Sequence, residues 1–72
     1  MISVDMRAWF VPAHMNSELL TEEERRERTV KGHVVYVNYA HKIFAVEYNE
    51  NGTPLKECFN FADCGKTVTV RG

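Results

Sequence analysis

Lys31-Gly-His-Val-Val-Tyr-Val-Asn-Tyr-Ala-His-Lys-Ile-Phe-Ala-Val-Glu-Tyr48, Asn49-Glu-Asn-Gly-Thr-Pro54 and Leu55-Lys-Glu-Cys-Phe-Asn-Phe61 follow one another without a gap and decide the fold. Three runs rich in Val, Ile, Phe and Tyr are separated by short polar breaks, the pattern of consecutive strands. Asn51-Gly52 marks a tight hairpin, because a type I′ turn needs two residues that tolerate positive φ. With those two at the centre of the turn, Glu50 faces Thr53, Tyr48 faces Leu55, Phe44 faces Phe59 and Lys42 faces Phe61. Glu47 then lies opposite Lys56, a cross-strand pair of opposite charge. Pro54 faces Asn49 with its missing N–H turned away from the partner strand, which puts this third strand at a sheet edge.

A reversal near Ala40-His41 lays the first run on the second, with Val37 beside Phe44 and Val35 beside Val46. One face then carries Val35, Val37, Tyr39, Phe44, Val46, Tyr48, Leu55, Phe59 and Phe61. The other is mixed, with Val34, Tyr36, Asn38, Ile43, Ala45, Glu47, Lys56, Cys58 and Asn60. A loop of odd length would exchange the two faces of the first run, since side chains alternate with period two. Val34 and Tyr36 make that run apolar on both sides, as expected of a central, doubly covered strand.

The remainder of the chain supplies smaller elements. Ile2, Val4, Met6 and Ala8 alternate with Ser3, Asp5 and Arg7, which predicts a strand of about seven residues. Trp9, Phe10 and Val11 follow and stop at Pro12; they either close one end of a core or form an exposed aromatic anchor. Thr21 and Glu24 have capping-box spacing, and three glutamates precede three arginines along the helix dipole. Glu22–Arg26 and Glu24–Arg28 are favourable four-residue pairs. This helix has no apolar stripe, so it reads as one or two solvated turns tethered by Leu19 and Leu20. Ala62-Asp63-Cys64-Gly65 is a turn, and Lys66 to Arg71 alternates into a last strand through Val68 and Val70.

Seventy-two residues make one domain, residues 1–72, which buries only about 60% of its unfolded surface. Five short strands and one surface helix fit a small antiparallel barrel of the SH3-like or OB-like (oligonucleotide-fold) type. Net charge is −1, without the basic excess that non-specific nucleic-acid binding exploits. No apolar run reaches the ~18 residues of a membrane span, and Asp5 and Arg7 interrupt the N-terminal apolar stretch, which argues against a signal peptide. Cys58 and Cys64 fit a reducing, cytoplasmic setting.

Neither metal nor covalent chemistry is signalled. Cys58 and Cys64 are not spaced as structural zinc ligands are, and no second Cys/His pair completes a set with His14, His33 or His41. Nucleophilic catalysis needs a thiol, a histidine and an orienting group together, and no motif provides that. The glycines form no phosphate-cradling loop. No catalytic residue, metal or cofactor is therefore expected.

Glu57 stands out, because it falls on the face of Val46, Leu55 and Phe59, where a carboxylate is costly unless paired. It is either an edge residue, solvated or paired with Lys42, Lys66 or Arg71, or a polar anchor in a patch of Tyr39, Phe44, Phe59 and Phe61. His41 and Lys42 sit at a loop tip, as solvated turn residues or as contacts. Candidate binding residues are thus Trp9, Phe10, Tyr39, His41, Lys42, Phe44, Glu57, Phe59 and Phe61.

Two resemblances lie on the central stretch. Val34-Val35-Tyr36-Val37-Asn38, Lys42-Ile43-Phe44-Ala45-Val46 and Cys58-Phe59-Asn60-Phe61 resemble the first three strands of cold-shock domains, a family that stacks single-stranded nucleic acid on strand aromatics. The family's Trp, Gly and Phe positions are Tyr36, Ile43 and Val46 here. Residues 32–61 also resemble short proteins of phages and integrative elements of Gram-positive bacteria. That pattern is carried by Gly32, Val35-Tyr36-Val37-Asn38, Ala40-His41-Lys42, Val46-Glu47-Tyr48 and Glu57-Cys58-Phe59-Asn60-Phe61. It implies a mobile-element accessory protein that binds, and in some cases inhibits, a host or phage macromolecule.

The expectation is a non-enzymatic binding module. A protein partner is favoured over single-stranded nucleic acid, because charge is balanced and the contact groups are aromatic. A homodimer through the open edge near Val68 and Val70 is the third arrangement.

Overall fold

The Asn51-Gly52 turn forms as its chemistry requires, with φ of 51° and 83° at its two central residues. It joins β3 (Ile43–Glu50) to β4 (Thr53–Asn60) in the expected register, with Phe44 opposite Phe59, Glu47 opposite Lys56 and Asn49 opposite Pro54. The computed structural model describes residues 1–72. Besides this hairpin it holds β1 (Arg7–Phe10), β2 (Val30–Asn38), β5 (Val68–Arg71) and one helix, α1 (Glu22–Arg28). All ladders are antiparallel and make one sheet in the order β4-β3-β2-β1-β5.

No ladder joins β4 to β5, so the sheet is open. It is nonetheless rolled. Four-strand spacing in a flat sheet would keep β1 and β4 roughly 14 Å apart, yet the Phe10 and Phe59 ring centroids are 5.0 Å apart. Phe10 also meets Tyr48 edge-on at 5.2 Å. The core inside the roll is Ala8, Phe10, Val34, Phe44, Val46, Tyr48, Phe59 and Val68.

The β2–β3 ladder departs from expectation in one place. Val37 pairs with Phe44 and Tyr36 with Ala45, as the sequence predicts, but the register then shifts and Val34 faces Val46. Val35 is the extra residue of a β-bulge. The bulge turns Val34 inward, where it is fully buried, and leaves Val35 half-buried. A bulge also strengthens local twist, which suits a sheet that must roll. β2 is central but not doubly covered, since Tyr36 on its outer side is 51% exposed.

The periphery also differs in detail. The predicted N-terminal strand shortens to Arg7–Phe10 because Asp5 takes a left-handed φ of 76° and breaks the alternation. The final strand starts at Val68, since the Lys66 and Thr67 N–H groups both donate to Asp63 O at 3.0 Å. Thr21 and Glu24 make the full capping box of α1, and none of its residues is buried. Leu19 does not tether that helix, being 91% exposed. Cys58 lies opposite Ala45 but on the outer face, exposed, and fills no core space.

Candidate binding surface

The residues singled out from sequence fall into three places. Phe10, Phe44 and Phe59 are core, each under a tenth exposed. Their rings pack on one another at 5.0 Å and 5.6 Å, and Phe10 and Phe59 also contribute to the wall of a cleft at one end of the sheet. Tyr39, His41, Lys42 and Phe61 gather at the β2–β3 loop end. There the Tyr39 hydroxyl donates to the Ile2 carbonyl at 2.5 Å and its ring meets Phe61 edge-on. The loop is set by Asn38, whose Oδ1 accepts the His41 N–H at 3.0 Å, and by Lys42 at φ 55°.

Trp9 and Glu57 lie at the opposite end, around a cleft of about 390 Å³ also lined by Arg25, Lys66, Thr67 and Thr69. Glu57 has no ion pair with Lys42, Lys66 or Arg71. Its Oε1 accepts the Ala13 N–H at 3.1 Å, which anchors the 3-10 turn Ala13–Met15 to β4. A second carboxylate supports that turn, for Glu50 Oε1 meets His14 Nε2 at 2.7 Å. Glu57 is therefore a backbone anchor for the chain crossing from β1 to α1. Burial pushes the Tyr48 phenol above its ordinary pKa, with Glu57 and Glu50 adding to the shift.

The sheet's outer face is the surface that sequence reasoning did not assemble. Arg7 lies opposite both His33 and Arg71, and His33 opposite Glu47, which faces Lys56. The next row sets Trp9 between Lys31 and Thr69. Side chains directly opposite in a ladder share a face, so all seven point outward from the sheet. Arg7, His33, Arg71, Lys31 and Thr69 stand on β1 or the strands beside it, and Glu47 and Lys56 lie two and three strands away from Trp9. Of the chain's nine Lys and Arg and ten Asp and Glu, this face takes four cations, Arg7, Lys31, Lys56 and Arg71, and one acid, Glu47. Five cations against nine acids remain elsewhere. A chain of net charge −1 thus presents a cationic sheet face and an acidic remainder.

Tyr36 extends the same face along β2, opposite Ala45. Its hydroxyl accepts from Asn38 Nδ2 at 3.1 Å, which fixes the ring. Lys31 and His33 point this way because Gly32 and Val34 point in, and Gly32 is itself required. A Cβ there would stand 2.8 Å from Val46 Cγ1 and collide with the Glu47 carbonyl. The pairing of Arg7 with Arg71 was not legible in sequence, since it depends on a ladder between the two most distant strands.

No group of three or more His, Cys, Asp or Glu side chains is assembled, and no helix is long and apolar enough to cross a membrane. Cys58 and Cys64 are free thiols. Comparison with protein-family models, with characterised proteins and with solved structures finds no match to this chain.

Proposed function

We propose that the chain is a small non-enzymatic binding module that engages another macromolecule through the outer face of its sheet. The observation that carries the reading is the half-buried Trp9 set among Arg7, Lys31 and Arg71 on the outer side of the sheet. A large aromatic held partly exposed by a rigid sheet is the kind of anchor that dominates binding energy. The pattern over residues 32–61 supports placing the module among phage and mobile-element accessory proteins, acting in the cytoplasm. The Phe10–Phe59 contact supports reading the rolled sheet as an incomplete five-stranded barrel.

A protein partner is one reading of this face, since interfaces enrich Trp and Arg together. Pairing of two copies through β5 is less well supported. That strand has four residues, and its Val68 carbonyl already accepts the Gly65 N–H at 2.8 Å.

Photo-crosslinking tests the surface. A photoreactive residue replacing Trp9 is expected to yield a macromolecular adduct in the producing cell, whereas one replacing Lys42 is not. Adducts from position 42 alone would move the binding surface to the other end of the sheet.

A further inference from the structure

Which macromolecule the outer face takes follows from what its groups can satisfy together, an inference that rests on that face being the binding surface. We infer that the occupant is a single strand of nucleic acid, with bases stacked on Trp9 and Tyr36 and phosphates on the cations between them.

Three observations carry this. First, two aromatic side chains stand on the face, Trp9 half-buried and Tyr36 51% exposed. Tyr36 is held by Asn38, and Ala45 opposite it is 7% exposed although it faces outward. Strand rise and spacing put the two rings roughly 15 Å apart, so they serve successive positions of one extended ligand. Second, the cations lie between and beside the rings. Arg7, His33 and Arg71 form a transverse row, and Lys31 stands beside Trp9. Third, charge is segregated: the outward side chains of the sheet hold four cations and one acid, and the rest of the chain five cations and nine acids, which steers a polyanion to this side.

Alternating aromatic and cationic groups on an open sheet are what a strand with exposed bases requires, since every base has a face to stack and every link a charge. A duplex hides its bases and leaves both rings without partners. An acidic peptide would satisfy the arginines and lysine but offers nothing flat to Trp9 and Tyr36. The surface is distinct from Phe44, Phe59 and Phe61, whose rings are engaged with one another.

Trp9 is the only tryptophan, so its intrinsic fluorescence reads the site directly. The probe is an oligothymidylate of roughly ten nucleotides, within the span that one small domain covers. Saturable quenching is expected at low salt, with log affinity falling against log salt at a slope of about −2 for three phosphate contacts. Tyr36→Ala should weaken binding by roughly 5- to 150-fold, the range for losing one stacked base. Arg7→Glu with Arg71→Glu should abolish quenching, and Lys42→Ala should leave it unchanged. A polyglutamate peptide of equal charge should not quench. Equal response to both polyanions, or no loss in Tyr36→Ala, would overturn nucleic acid as the occupant. An adduct from position 9 with no oligonucleotide response would do the same and leave the binding surface standing. Silence in both experiments would remove both.

Discussion

Gly32 is the residue on which the close approach of β2 to β3 depends. It is buried opposite Tyr48, and its missing side chain leaves room for the Glu47 carbonyl and the Val46 methyl. Gly32→Ala should therefore destabilise the fold by about 1–3 kcal/mol through overpacking, read as a lowered urea midpoint at unchanged slope. A midpoint equal to wild type would mean that β2 and β3 separate more easily than the ladder implies. The two thiols differ for another residue-level reason. Cys58 is exposed, whereas burial pushes the Cys64 thiol above its ordinary value, with Asp63 adding to the shift. The thiolate is the nucleophile, so iodoacetamide near neutral pH should alkylate Cys58 first. Equal rates at both positions would contradict that order. Both cysteines were visible in the sequence, but their difference was not, because alternation puts Cys58 on the mixed face with Ala45 without saying how far either is covered.

Among the elements, α1 follows most directly from its own residues. Thr21 Oγ1 accepts the Glu24 N–H and Glu24 Oε1 accepts the Thr21 N–H, both at 3.1 Å. Of the two expected ion pairs only Glu24–Arg28 forms, at 3.8 Å, and an exposed pair of that length adds little. Those bonds to Thr21 hold the Glu24 carboxyl below the ordinary glutamate value of 4.5. A depressed carboxylate pKa supports the helix above the unfolded value, and the support is lost as pH falls through the folded one. The amides of Glu24 and Arg25 should thus lose hydrogen-exchange protection on acidification below about pH 4.5, and Thr21→Ala should expose them already at neutral pH. Protection unchanged down to pH 3 would show that the box is not what holds the helix. The β3–β4 hairpin was equally legible, since Asn51-Gly52, the Glu47–Lys56 pair and Pro54 all specify one register. The β2–β3 ladder was legible only from Tyr36 to Asn38. Nothing in Val34-Val35-Tyr36 announces a bulge, because all three residues suit a strand on either face.

For the whole molecule, the hydrophobic interior and the charge distribution are two results of one rolled sheet. Tyr48 sits in that interior with its phenol pushed up by burial, then by Glu57 and Glu50. A raised pKa means stability that is complete below the unfolded value of about 10 and lost as pH rises through the folded value. The protein should accordingly unfold in alkali, with tyrosine ionisation and loss of near-ultraviolet circular dichroism coinciding above pH 10. Tyr48→Phe should move that transition upward, and an unshifted transition would assign it to another group. The sequence by itself determined the strands, the hairpin register and the cap, because each rests on neighbouring residues whose backbone preferences and period-two alternation are local. Only the tertiary structure decided which aromatics are core and which face outward. Phe10 meets Phe59, and Arg7 stands beside Arg71, through contacts between strands distant in the chain. The first depends on how the whole sheet curves and the second on which strands pair, and no local residue preference specifies either.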